Sequence, residues 1–186
     1  MLIRRVGSAG TPPVTLFDAK AHLRVTGTDE DTLIEALIAT ACEAVGQAAG
    51  RVLALETWEM ADCGFLGAVR LVKSPVVEIV SVKHYAADVL TTDTLANYRL
   101  YADDDYSQVV PITGATWPVW QDRPDGTIIQ FTAGYSVLPD ALRLAVLLMV
   151  AHLYENRSAV GDGTVKDLPL SMDYLIGLHR LGWVSA

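Results

Sequence analysis

The chain has 186 residues, a formal net charge of -8, 51% hydrophobic residues and 19% charged ones, which is the make-up of one folded domain with a real core and not of a disordered segment. An acidic excess argues against a protein whose work is gripping nucleic acid, because that affinity rests on Lys and Arg neutralising phosphates. Sliding past DNA without sticking is still allowed.

The opening M-L-I-R-R-V-G-S-A-G-T-P-P has basic residues with no apolar run behind them, so it does not read as a signal peptide, and the chain is expected to be made in the cytoplasm. Gly7, Gly10 and the Pro12-Pro13 pair argue against regular structure and make residues 1–13 an extended arm. Thr15-Leu16-Phe17-Asp18 is a Ser/Thr-x-x-acid start signal, predicting a short helix over 15–24. Thr28-Asp29-Glu30-Asp31 is a second start with Thr28 as cap, and Leu33, Leu37, Thr40/Ala41, Ala44 and Ala48 recur at helical spacing with Ile34, Ile38 and Val45 beside them, predicting a helix over 29–50 that Gly50 ends.

From Val52 to Tyr135 the texture changes to short runs rich in Val, Ile, Thr, Tyr and Trp, broken by Gly, Pro and Asp. Strands are expected near Thr57–Asp62, Val69–Val72, Val77–Tyr85, Tyr98–Tyr101, Val109–Pro111 and Thr127–Ala133, forming a small antiparallel β block over 52–135. Asp103-Asp104-Asp105 and Asp122-Arg123-Pro124-Asp125-Gly126 are turn chemistry. Cys42 and Cys63 fall in a helix and a strand without metal-ligand spacing, and are expected as two buried, unpaired thiols.

Pro139-Asp140 opens a helix over 139–155 that is apolar on nearly every side, L-R-L-A-V-L-L-M-V-A-H-L-Y-E-N-R from Leu142 to Arg157. Its longest uncharged run, Leu144 to Ala151, spans 8 residues where a membrane helix needs about 18, so no membrane span is expected. Its apolarity places Leu148 in a dry site, where Leu148→Asp would destroy folding or assembly. A Gly-rich connector follows, then a short helix from about Leu168 that ends near Gly182. The fold class is therefore α+β: a helical bundle of two N-terminal helices, the long apolar helix and a short C-terminal one, with the β block inserted. A single domain over 14–157 and a C-terminal segment over 158–186 are the expected organisation.

No catalytic, cofactor-binding or metal-ligating residue is assigned. His22, His84, His152 and His179 lie in different elements without the H-E-x-x-H pairing of a metal site, and no nucleophile elbow, phosphate loop or dinucleotide fingerprint occurs. The Asp103–Asp105 run reads as an exposed turn before it reads as a cation site. The residues that stand out are aromatic or lie at a helix end: Trp117 and Trp120 in W-P-V-W, Tyr135, Trp183, and His152, Tyr154 and Arg157. These are the interface candidates, since Trp and Tyr concentrate at interface centres. For the W-P-V-W turn, an exposed anchor and an indole cap on the β block's core fit equally well.

Taken in order, P-V-T-L-F-D-A-K-A-H-L-R-V, T-D-E-D-T-L-I-E-A-L-I-A-T-A, A-T-W-P, I-I-Q-F-T-A-G-Y and L-P-D-A-L-R-L-A-V-L-L-M-V-A-H-L-Y-E-N-R resemble the tailed-phage head-to-tail connector, or adaptor, family, which also occurs in prophages and gene transfer agents. The resemblance runs from about Pro13 to Arg157, with a weaker echo in Leu168 to Leu181. It implies a non-enzymatic virion subunit at the neck, in a ring of copies of itself, usually twelvefold, below the portal protein. Such a ring extends the DNA channel without specific DNA binding, docks the next connector or the tail, and takes no cofactor. It implies that residues 1–13 and 158–186 reach neighbouring subunits or the portal. Competing readings are a tail-completion or tail-terminator protein and a small α+β hydrolase or ligand-binding domain.

Overall fold

A computed structural model of the chain describes residues 1–7, 10–103, 105–156 and 170–182. It is an α+β structure whose path divides into two units, residues 1–10 with 54–135 and residues 11–53 with 136–186.

In the helical unit, Thr15 and Asp18 form a complete capping box. The Asp18 amide donates to Thr15 Oγ1 at 3.1 Å and the Thr15 amide donates to Asp18 Oδ2 at 3.3 Å. Helix α1 (Leu16–Leu23) follows and ends at Arg24, whose φ of 59° is left-handed. Helix α2 (Asp31–Ala49) starts later than Thr28 predicts: Glu30 holds the cap position without its side chain capping the helix, while the Thr28 carbonyl accepts from the Asp31 amide at 3.2 Å. Gly50, with φ 69°, ends it as expected. The buried stripe is Ile34, Ile38, Ala41, Val45 and Ala49, most of it from the residues beside the Leu33 series, and Leu33 is left 38% exposed. Two apolar stripes lie side by side on this helix, and periodicity alone does not say which one turns inward. By length and composition α2 also meets the test for a bilayer-spanning helix, a feature the expectation of no membrane span passed over; its many alanines raise its hydropathy.

Helix α3 (Asp140–Glu155) packs on α2, burying Leu142, Ala145, Val146, Leu147 and Val150. Leu148, expected in a dry site, is only half-buried, and Leu144 is exposed. The helix therefore has a distinct inward face that its uniform apolarity hid. Helix α4 (Leu170–Gly177) stops before Gly182 and packs on α3 and α2 through Met172 and Ile176. The chain after it closes the end of α2: the Leu181 amide donates to the Ala49 carbonyl at 3.0 Å, Arg180 Nε to the Ala48 carbonyl at 3.2 Å, and the buried Arg51 gives its Nε to the His179 carbonyl at 2.8 Å. The last-turn carbonyls that a helix leaves unpaired thus find donors within the same chain.

The β unit holds β1 (Leu2–Val6), β2 (Glu56–Asp62), β3 (Val69–Arg70), β4 (Val76–Ala86), β5 (Val89–Thr92), β6 (Tyr98–Ala102), β7 (Ser107–Pro111) and β8 (Thr127–Ala133). One sheet runs β1-β2-β8-β4-β5 and a second β3-β7-β6, with every pairing antiparallel. Strand β8 is central, and Thr127, Ile128, Ile129, Phe131 and Ala133 are all buried, which explains why its sequence alternates so weakly.

Two strands were not expected. The first residues of the supposed arm form β1, because Leu2 to Val6 pair with Ala61 to Thr57 and Arg4 and Arg5 bond Glu59 and Glu56 at 2.6 and 3.2 Å; Gly7, at φ 88°, ends the strand rather than forbidding it. Strand β5 is short and uniformly exposed, so no buried face marks it in the sequence. Gly10 and Gly134 let the backbone crowd Ala54 and Leu55: a Cβ on Gly10 would sit 2.3 Å from the Leu55 carbonyl oxygen and one on Gly134 1.9 Å from that of Ala54.

Both thiols are unpaired and Cys42 lies on a helix, as expected, but neither is fully buried and Cys63 lies outside a strand. Cys42 is half-buried on α2, its pKa pushed up to about 11 by burial, and Cys63 is exposed in the bend just past β2.

Candidate interface surfaces

The W-P-V-W turn separates into anchor and tip. Trp117 is 9% exposed, stacks on Tyr98 with ring centres 4.9 Å apart, meets Phe65 at 5.5 Å, and donates its Nε1 to the Gly67 carbonyl at 2.7 Å. Tyr98 in turn donates its hydroxyl to the Asp93 carboxylate, and burial together with that acceptor holds the phenol well above the usual tyrosine range. Trp120 is half-buried with its indole on Gly64, where a Cβ would sit 2.0 Å from the ring. Both tryptophans therefore staple the loop 115–121 to the loop 63–68. What the paired loops present outward is Val119, 88% exposed, and Leu66, 80% exposed. Nothing in the spelling of the turn marks Val119, since an exposed aliphatic between two tryptophans reads as core.

The same part of the unit carries a charged brace. Arg123 lies 3.7 Å over the Tyr85 ring and bonds Asp125 at 2.6 Å, while Gln121 and Asp88 bond each other at 3.0 Å. The Asp103 carboxylate accepts from the amides of Asp105 at 2.9 Å and Tyr106 at 2.6 Å, closing the β6–β7 hairpin; Asp104 lies outside the described residues. Among the described residues no group of three or more His, Cys, Asp and Glu is placed to hold a metal ion.

In the helical unit, Tyr154 gives its hydroxyl to Glu30, tying the end of α3 to the start of α2. His152 lies one turn before Asn156, which bonds its carbonyl at 2.7 Å. Both are half-buried packing residues at a helix junction. Tyr135 is half-buried just past β8. Arg157 and Trp183 lie outside the described residues. The described candidates thus fall in both units, Trp117, Trp120 and Tyr135 in the β unit and His152 and Tyr154 in the helical one. Exposed large apolar side chains that sequence reasoning did not single out include Phe17, Val137, Tyr174 and Leu178.

Residues 13–89 match the model of the phage gp6-like head-tail connector protein family. Among solved structures, the chain is similar over its full length to a chain of the neck of an empty gene transfer agent particle computed with C6 symmetry, with a TM-score of 0.81, 26% identity and 98% of that chain covered. It is likewise similar to a chain of the virion of a native gene transfer agent particle, with a TM-score of 0.80 and 25% identity over 100% of this chain and 98% of that one. A chain of the native particle's neck computed with C12 symmetry matches with a TM-score of 0.79 and 24% identity over the same shares, a likeness of fold. No curated protein matches the sequence.

Proposed function

We propose that the chain is a structural subunit of a virion neck, a head-to-tail connector that assembles with copies of itself into a ring below the portal, extends the DNA channel and docks the next connector or the tail. The observation that carries this reading is the likeness to a gene transfer agent neck chain at 26% identity over 100% of this chain and 98% of that one. The family match over residues 13–89, which takes in α1, α2 and the strands up to β4, supports it independently.

In this reading the four helices act as a bundle with the β block inserted, and the subunit has no catalytic role. The C6 and C12 symmetries of the similar necks support a cyclic arrangement of copies. A net charge of -8 suits a channel wall, because like charge keeps a polyanion from adhering. The N-terminal residues 1–13 and the C-terminal residues 158–186, with Arg157 and Trp183 among or beside them, contact neighbouring subunits or the portal. The Val119/Leu66 tips, buttressed by Trp117 and Trp120, are an apolar surface for docking.

The test is native mass spectrometry and negative-stain imaging of the purified chain, alone and mixed with portal assemblies. A cyclic oligomer that caps portal is expected. A persistent monomer that ignores portal overturns the reading, and binding to tail tubes in place of portal moves the protein to the tail-completion role.

A further inference from the structure

We propose that in the ring the five-stranded sheet continues from one copy of the chain into the next, the outer edge of β5 pairing with the outer edge of β1 of the second copy; this rests on the ring reading above. A cyclic head-to-tail contact joins two different patches of the same molecule. The order β1-β2-β8-β4-β5 leaves one sheet with two unlike edges that are free among the described residues, which meets that requirement within a single sheet.

Apart from its shortness, strand β5 lacks, among the described residues, the devices that blunt a sheet edge, namely charge, proline, a bulge or a cover. It reads Val-Leu-Thr-Thr, all four residues are exposed, and Val89 and Leu90 stand 63% and 44% open to solvent. It pairs with β4 without a bulge, from Ala86–Val89 to Lys83–Thr92. The parity of that ladder fixes what the edge offers. The Asp93 amide donates to the Val82 carbonyl at 2.8 Å, so positions alternate from there: Thr91 and Val89 bond inward, while Leu90 and Thr92 turn their N–H and C=O groups outward. The outer edge of β5 is a row of unpaired donors and acceptors, the template that strand addition uses.

Strand β1 is the matching half. It is five residues long against four in β5, its residues are exposed up to Val6, and it hydrogen-bonds only to β2 within the sheet. Its arginines reach toward β2, Arg4 to Glu59 and Arg5 to Glu56, and so do not cover the outer edge. Arg4, paired with Glu59, keeps most of its side chain exposed, as does Asp88, which lies beside β5 and 3.9 Å from Arg123, so exposed side chains of opposite charge flank the two edges.

Two variants of the full chain test this. Leu90→Pro removes an outward N–H and leaves the inward ladder to β4 untouched, a place where an edge strand tolerates proline. By mass photometry it should form at least tenfold less ring than wild type, with an unchanged circular dichroism spectrum. In a Cys63→Ser background, Arg4→Cys with Leu90→Cys should give a ladder of multimers with a short bismaleimide, absent from either single variant. A Leu90→Pro ring at wild-type level without a cross-link ladder overturns the strand pairing and leaves the ring reading intact. If Leu90→Pro misfolds, the ladder alone decides. A wild-type chain that forms no ring overturns the ring reading, and the pairing with it.

Discussion

At the scale of single residues the clearest device is the pair Thr15 and Asp18. The Thr15 hydroxyl holds the Asp18 carboxyl below its usual range, and Arg143, 2.7 Å away, adds to this against the opposing effect of desolvation. A carboxyl depressed by folding contributes stability above its unfolded pKa and loses it as pH falls through the folded value. Thr15→Ala should therefore cost about 1 kcal/mol near neutral pH, read from urea midpoints, and the deficit should shrink in acid once Asp18 is protonated in wild type. This pair was legible from four letters because a capping box is local and needs no knowledge of the rest of the chain. Trp117 was legible only as an aromatic in a turn. Its partners Tyr98 and Phe65 are distant in sequence, so neither its burial nor the exposure of Val119 beside it is written in the turn itself.

At the scale of elements, helix α3 shows how far pattern reading reaches. Its existence and limits were plain from Pro139-Asp140 and the apolar run, but a helix with apolar residues all round conceals its inward face until Val146, Leu142 and Val150 are seen against α2. The two faces should respond differently to the same charge. Val146→Asp places a carboxylate at a fully buried position and should leave the chain unfolded, a loss of several kcal/mol. Leu148→Asp, at a half-exposed position, should keep the circular dichroism spectrum and thermal transition near wild type while lowering ring yield if this face is covered by a neighbour. Strands β1 and β5 were missed for a related reason: edge strands bury little on either face, so the alternation that marks a strand is weak in them. The six other strands, each with buried positions, were placed close to their observed limits.

At the scale of the whole molecule, the path of the chain ties the sheet edge to stability. Deleting residues 1–6 would remove the Arg4–Glu59 and Arg5–Glu56 ion pairs and uncover the edge of β2, whose Met60 and Ala61 are buried. The shortened chain should melt lower than wild type and self-associate irregularly, read as a broad early peak in size-exclusion chromatography, since an exposed flat edge invites non-specific pairing.

The same path sets an order of events during synthesis. Strand β8, which holds β2 on one side and β4 on the other, is the last strand to be made, and α3 and α4 follow it. Until about residue 133 has left the ribosome, the β1–β2 and β4–β5 pairs have no strand to join them into one sheet, and α2 waits longer still for α3. A nascent chain therefore carries neither the complete five-stranded sheet nor a closed helical core, and in the proposed ring copies translated side by side on one message cannot join through both edges of that sheet before β8 is made.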